Sequence, residues 1–213
     1  MTGDRMTVHA ALETLLAGNR RFTAGSPEHP NQDAARRAAI APAQSPFAVL
    51  FGCSDSRLAA EIIFDQGLGD LFVVRTAGHV VGAEVLGSIE YGISVLGSPL
   101  VVVLGHDSCG AVAATRAAVE EGTTATGYVR DVIERVTPSV LAARAAGHTE
   151  NSDFIDTHIQ HTVDLLLERS RTLAEAVAAG TAAVIGVSYR LADGTAHLVT
   201  AHGLEEAPAG SPS

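Results

Sequence analysis

Apolar, β-branched runs alternate with helical patterns along this chain, and this alternation constrains its fold most. The runs are apolar on both faces, which is typical of strands in a parallel sheet covered by helices on both sides. The strands are predicted at residues 46–52, 71–75, 100–105 and 182–189, and the helices at residues 58–66, 82–96, 109–121 and 152–179. A last run, residues 196–201, follows a turn signal at Asp193 and Gly194 and should pair antiparallel with the fourth strand. The sequence therefore predicts an α/β fold with a central, mostly parallel β-sheet flanked by helices and a C-terminal antiparallel strand.

Both ends of the chain lie outside this alternating body. Residues 7–24 carry leucines at helical spacing and predict an N-terminal helical arm. Residues 25–44 are rich in Pro and polar side chains and are expected to be a linker, which would let the arm pack on a remote surface or on a neighbouring subunit. Residues 205–213 are expected to be a disordered tail. The whole chain, residues 1–213, is interpreted as a single domain.

Charge and residue usage exclude several classes of function. The formal net charge of −10 argues against partners that are nucleic acids or anionic membranes, because both would be repelled. All 14 basic residues are Arg, and the absence of Lys excludes a Schiff-base enzyme and a Walker-type phosphate site. The sequence shows neither an 18-residue apolar run nor a secretory signal. We therefore expect no membrane association and a cytoplasmic location.

The two cysteines of the chain, Cys53 and Cys109, each follow a predicted strand, and His106 lies three residues before the second. The carboxyl ends of parallel strands meet at one edge of a sheet, where ligands bind. Two Cys and one His supply three ligands of tetrahedral Zn²⁺ and leave the fourth position for water or substrate, as in catalytic zinc sites. Either cysteine alone could equally be a small buried apolar residue. Taken together, the three residues predict one catalytic zinc ion per chain.

Asp55 and Arg57 alternate after Cys53 and are expected to point in the same direction. The planar guanidinium of Arg57 can hold a carboxylate through two hydrogen bonds and so keep Asp55 off the metal. Held in this way, Asp55 can accept a hydrogen bond from a zinc-bound hydroxide. Released, it would become a fourth metal ligand and give a closed, inactive state. A surface salt bridge is the alternative interpretation of this pair.

Residues 53–57 (CSDSR) and residues 105–110 (GHDSCG) together resemble the paired signature of the β-class carbonic anhydrases. The resemblance runs from about residue 44 to residue 194 and includes the strand context of both motifs. It implies that zinc is bound by Cys53, His106 and Cys109 and that the catalytic dyad is Asp55 and Arg57. The substrate-binding positions that it implies are Gln44, Phe72, Tyr91 and Gly110.

Each implied substrate residue has an expected role. Gln44 resembles the amide donor of plant-type members, and with the backbone N–H of Gly110 it is a candidate to stabilise charge on the substrate oxygens. Phe72 and Tyr91 resemble the walls of a narrow apolar pocket. Ordinary core packing is the alternative for these two aromatic residues.

The resemblance implies zinc-dependent, reversible hydration of carbon dioxide to bicarbonate and a proton by a homodimer or a tetramer. Two alternatives remain open: hydrolysis of a related substrate such as carbon disulfide on the same scaffold, and a non-catalytic, zinc-stabilised interaction module. The module would need a closed fourth metal position, and the sequence supplies no third cysteine for it.

A second anion site is not expected. Some bacterial members of the family hold an inhibitory bicarbonate ion in a separate pocket built around a Trp. The corresponding positions here are Leu50, Arg75 and Tyr189, and the chain contains no Trp. An anion desolvated with too few hydrogen-bond donors binds poorly. We therefore expect weak or absent inhibition by bicarbonate at this second site.

Overall fold

In the part of the chain that the structure describes, five strands form one sheet. The computed structural model of the chain describes residues 6–204. Its strands are β1 (Ala48–Cys53), β2 (Leu71–Thr76), β3 (Leu100–His106), β4 (Ala183–Tyr189) and β5 (Ala196–His202). The strands lie in the order β2-β1-β3-β4-β5. The strands β1 to β4 are parallel to one another, and β5 is antiparallel to β4. The predicted α/β fold, including the C-terminal antiparallel strand, is confirmed.

Within residues 6–204, eight α-helices surround the sheet, and they follow the predicted pattern in part. They are α1 (Val8–Thr23), α2 (Ala34–Ile40), α3 (Ala60–Ile63), α4 (Ala83–Ser94), α5 (Gly110–Glu121), α6 (Val129–Ala145), α7 (Asn151–Arg169) and α8 (Arg171–Ala178). The single long helix predicted after residue 152 is two helices, because Ser170 is extended and its side chain caps α8. Helix α6, which contains Pro138, was not predicted from the sequence. Among residues 6–204, no helix combines the length and the apolar character that crossing a bilayer requires.

The core lies on the three central strands. Every residue of β1, β3 and β4 is buried, whereas the edge strands β2 and β5 are partly exposed. This pattern explains why the central runs are apolar on both faces. In the register of β1 and β3, Gly52 lies beside Leu104, so the carboxyl ends of the two strands coincide.

The N-terminal arm is helical as predicted, and it packs on a remote surface of its own chain, one of the two expected locations. Leu15 is fully buried, and the Asn19 amide donates to the backbone carbonyls of Ile63 at 3.1 Å and Gly194 at 2.8 Å. The prediction that residues 25–44 form a linker needs correction, because they contain α2, which begins at an Asp33 cap. The predicted tail, residues 205–213, lies outside the described residues.

Candidate metal centre

Three buried side chains converge at the carboxyl edge of the sheet. Cys53 ends β1, His106 ends β3, and Cys109 is the N-cap of α5. One ligand atom from each of these residues lies within 4.8 Å of the other two. The adjacent parallel strands β1 and β3 end at the same level and so bring Cys53 and His106 together. A short loop after β3 places Cys109 beside them. The structure thus places together the three metal ligands that the sequence predicts.

His106 is oriented for metal binding by its own backbone neighbour. Its Nδ1 lies 2.7 Å from the carbonyl oxygen of Asp107, which can only accept, so Nδ1 carries the proton. The other ring nitrogen, Nε2, is buried and has no hydrogen-bond partner among the described residues. A buried, unpaired acceptor is unfavourable, and a metal ion beside the two sulfurs would satisfy it. The donor set of two sulfurs and one imidazole nitrogen fits Zn²⁺.

The two cysteines ionise differently when no metal is bound. A hydrogen bond from the Cys109 thiol lowers the pKa of Cys53 well below its ordinary value, against the opposing effect of burial. The same bond, together with burial, raises the pKa of Cys109 far above its ordinary value. Because zinc binds thiolates, zinc binding must expel the proton that the two sulfurs share.

Asp55 and Arg57 form the predicted ion pair beside the cluster. Arg57 donates from Nε to Oδ1 at 2.9 Å and from Nη2 to Oδ2 at 2.6 Å. These bonds hold the pKa of the Asp55 carboxyl well below its usual range, so the group is ionised. Its Oδ2 lies 4.0 Å from Nε2 of His106. The carboxylate is therefore next to the cluster and is held in place by Arg57.

Arg75 has a role that the sequence analysis missed. Its Nε donates to the carbonyl oxygen of Cys53 at 2.9 Å, and its Nη2 donates to that of Asp55 at 2.6 Å. The two bonds fix the backbone on either side of Ser54. This role follows from the register of the sheet, which pairs Arg75 with Gly52, the residue directly before Cys53. From the sequence, Arg75 was expected only as an anion ligand.

Bicarbonate is expected to inhibit this protein weakly and without cooperativity. Arg75 is engaged by two backbone carbonyls, and Leu50 is buried in the core without a polar atom to offer. Initial rates over a bicarbonate series, with a crystal soaked at high bicarbonate, test this. Cooperative inhibition with density between Leu50, Arg75 and Tyr189 would contradict it.

Gln44 does not lie near the cluster within one chain. It is exposed and precedes Pro46, whose carbonyl oxygen accepts a hydrogen bond from Ser98 at 2.9 Å. Ser98 lies just before β3, so Pro46 is at the amino ends of the strands. Cys53 is at the opposite ends. A residue two positions from Pro46 cannot reach across the length of β1.

Phe72 and Tyr91 contact each other away from the cluster. Their ring centroids are 6.1 Å apart. Phe72 pairs with Val49 in the sheet, four residues before Cys53, or about 13 Å along the strand. Tyr91 is 44% exposed. These two residues form an open apolar surface near the amino half of the sheet.

Gly110 is the implied substrate residue that lies beside the metal ligands. It is the first residue of α5, directly after Cys109, and a side chain built on it would meet no atom within 4 Å. The space next to its backbone is therefore open to a small molecule. Its N–H belongs to the first turn of the helix, where donors lack partners within the helix.

The chain is similar to proteins of one family over most of its length. Residues 48–196 match the family model described as carbonic anhydrase. Carbonic anhydrase 2 of Mycobacterium tuberculosis strain H37Rv is 57% identical over 189 residues, which cover 89% of this chain and 91% of that protein. The carbonic anhydrase of Mycolicibacterium smegmatis is also 57% identical, over 89% of this chain and 92% of that protein.

Solved structures of lower identity share the fold. One of two tetrameric beta-carbonic anhydrases from Sordaria macrospora has a TM-score of 0.66 at 24% identity and covers 89% of this chain and 95% of that one. The Coccomyxa beta-carbonic anhydrase in complex with acetazolamide has a TM-score of 0.68 at 24% identity and covers 88% of this chain and 85% of that one.

Proposed function

The chain belongs to the β-class carbonic anhydrase family, and we propose that it catalyses the zinc-dependent, reversible hydration of carbon dioxide to bicarbonate and a proton. The observation that carries this proposal is the buried Cys53, His106 and Cys109 cluster, in which His106 Nε2 has no partner among the described residues. Zinc would be held by the two sulfurs and by this nitrogen. When bound, zinc supplies an acidified water, which is the nucleophile that carbon dioxide hydration needs.

The residues around the cluster each have a defined task in this proposal. The ionised Asp55 accepts a hydrogen bond from the nucleophile and orients it. Arg57 holds Asp55 through two hydrogen bonds and prevents it from filling the fourth metal position. The Gly110 N–H lies in the first turn of α5, where the helix dipole favours the negative charge that develops on the substrate oxygens.

A second copy of the chain supplies the remaining substrate residues in this proposal. Gln44, Phe72 and Tyr91 lie toward the amino ends of the strands, so within one chain they are remote from Cys53. The exposed face of Tyr91 suits contact with another subunit. The Sordaria relative is described as tetrameric. The proposed functional unit is therefore a homodimer or a tetramer. We propose a cytoplasmic location, which suits two cysteines that form no disulfide.

Zinc content and hydration rate together test the proposed activity. One zinc per chain and fast hydration in a stopped-flow assay are expected from the purified protein. Carbon disulfide serves as the competing substrate in the same assay. Protein without zinc or without hydration activity would contradict the proposal. The interaction module is disfavoured because, within residues 6–204, the cluster offers three ligands and the neighbouring Asp55 carboxylate is held by Arg57.

Subunit complementation tests the pocket that two copies share. Gln44→Ala alone should lower kcat by about 100-fold, because it removes a donor to the substrate oxygen. Cys109→Ser alone should be inactive. A purified heterodimer of the two variants contains one site with an intact cluster and an intact partner Gln44, so it should recover about half of the wild-type activity. If Gln44 acts within its own chain, the heterodimer stays as inactive as the two parents.

A further inference from the structure

A buried histidine outside the metal cluster is hydrogen-bonded on both ring nitrogens. His158 of α7 is 2% exposed, and its Nε2 lies 2.8 Å from the carbonyl oxygen of Gly78. Its Nδ1 lies 2.8 Å from the hydroxyl of Ser139 on α6. Since a carbonyl can only accept, Nε2 carries the proton and Nδ1 accepts from the Ser139 hydroxyl. Burial lowers the pKa of His158 to about 4, so the ring is neutral and this arrangement is kept.

Gly78 links this histidine to the metal cluster. Its N–H donates to Sγ of Cys53 at 3.3 Å. Its φ of 61° lies in the left-handed region that favours glycine, and a Cβ there would lie 2.6 Å from Cβ of Ala111 on α5. The backbone of Gly78 is therefore fixed by three neighbours: a sulfur, an imidazole and the first turn of α5.

We propose that His158, oriented by Ser139, is a positioning residue of the metal centre: it holds Gly78 so that the Gly78 N–H stays directed at Sγ of Cys53. This inference rests on the proposed function, because it requires that Cys53 binds zinc. A hydrogen bond to a thiolate withdraws electron density from sulfur and makes it a weaker donor to the metal. The zinc then keeps more of its Lewis acidity, which two thiolates would otherwise reduce.

His158 acts on the Cys53 sulfur only through the backbone of Gly78. Its replacement should therefore have a different effect from the loss of a metal ligand. Replacing His158 should leave zinc bound. The affinity should be lower by about 10-fold, because Gly78 no longer holds Cys53 in position and this loss outweighs the stronger donation of the sulfur. The bond between sulfur and metal should change in character at the same time. Cobalt(II) in place of zinc reports this directly, since its thiolate-to-metal charge-transfer band moves to longer wavelength when sulfur becomes a stronger donor.

The test compares four variants in the full-length protein loaded with zinc or with cobalt(II). His158→Leu should move the cobalt band to longer wavelength and lower the zinc affinity measured against a competing chelator. His158→Gln should restore both, because its amide N–H can donate to Gly78. Ser139→Ala should give a smaller change in the same direction. His161→Leu is the matched control and should match the wild type, since His161 lies three residues along α7 and takes no part in these bonds.

The outcomes separate this inference from the proposed function. A folded His158→Leu protein with wild-type band position and zinc affinity would overturn the inference and leave the proposed function intact. If His158→Leu fails to fold, an unchanged Ser139→Ala protein overturns it instead. A loss of affinity that His158→Gln does not rescue would show a merely structural role and also overturn it. Wild-type protein that binds no zinc would remove the proposed function, and this inference with it.

Discussion

Cys109→Ser should remove most of the bound zinc and nearly all hydration activity. Cys109 is buried at the start of α5, and its sulfur is one of three ligand atoms in the cluster. A serine hydroxyl holds its proton at neutral pH and is a poor ligand for zinc compared with a thiolate. Two remaining ligands, Cys53 and His106, bind zinc weakly. Metal analysis after dialysis, with stopped-flow hydration rates, measures both effects.

A matched control separates loss of the metal from damage to the fold. Ser54→Ala changes an exposed side chain beside Cys53 in the same edge of the sheet, and it should retain zinc. Thermal unfolding of zinc-free wild type and zinc-free Cys109→Ser should agree closely, because one buried sulfur is replaced by one oxygen. One zinc per chain and unchanged turnover in Cys109→Ser would show that the metal site is elsewhere.

Arg57→Ala should lower kcat by about 100-fold while the zinc stays bound. Arg57 provides both side-chain hydrogen bonds to Asp55, whose Oδ2 lies 4.0 Å from the metal-facing nitrogen of His106. In the variant only the backbone N–H of residue 57 still donates to Asp55, to Oδ1 at 2.9 Å. The carboxylate can then coordinate zinc, displace the water and complete a four-ligand site. Zinc X-ray absorption should then show four protein ligands. Wild-type rates near neutral pH in Arg57→Ala would refute the role given to this pair.

The same pair determines the direction of the pH dependence. Arg57 holds the pKa of Asp55 well below its usual range, so Asp55 stays ionised at mildly acidic pH. Protonation of Asp55 therefore does not cause a loss of activity in that range. At the metal, a carboxylate would displace a neutral water more easily than a hydroxide. Wild-type activity should therefore fall as the pH falls, with Asp55 entering the metal site. The double variant Asp55→Asn, Arg57→Ala is the control, since an amide is a poor zinc ligand and its site should stay open at all pH values.

Local sequence patterns were sufficient to predict contacts that follow from the end of a strand or from a short spacing along the chain. Cys53 and His106 end parallel strands, and the apolar runs alone predicted that these ends meet. Asp55 and Arg57 are two residues apart, so their ion pair required no knowledge of the fold. The helix α6 was missed because Pro138 and its polar face obscure the helical period. Its buried side comes from packing on α5 and α7.

The sequence by itself determined the α/β class, the three candidate metal ligands and the pair beside them, because strand period and short spacing depend only on nearby residues. Tertiary structure decided the rest. It joined Arg75 to the Cys53 carbonyl across two strands and His158 to Gly78 across 80 positions of the chain. It also placed Phe72 far from the cluster. Such contacts depend on sheet register and on helix packing. Many residues far apart in the sequence determine these together, so a local sequence pattern does not predict them.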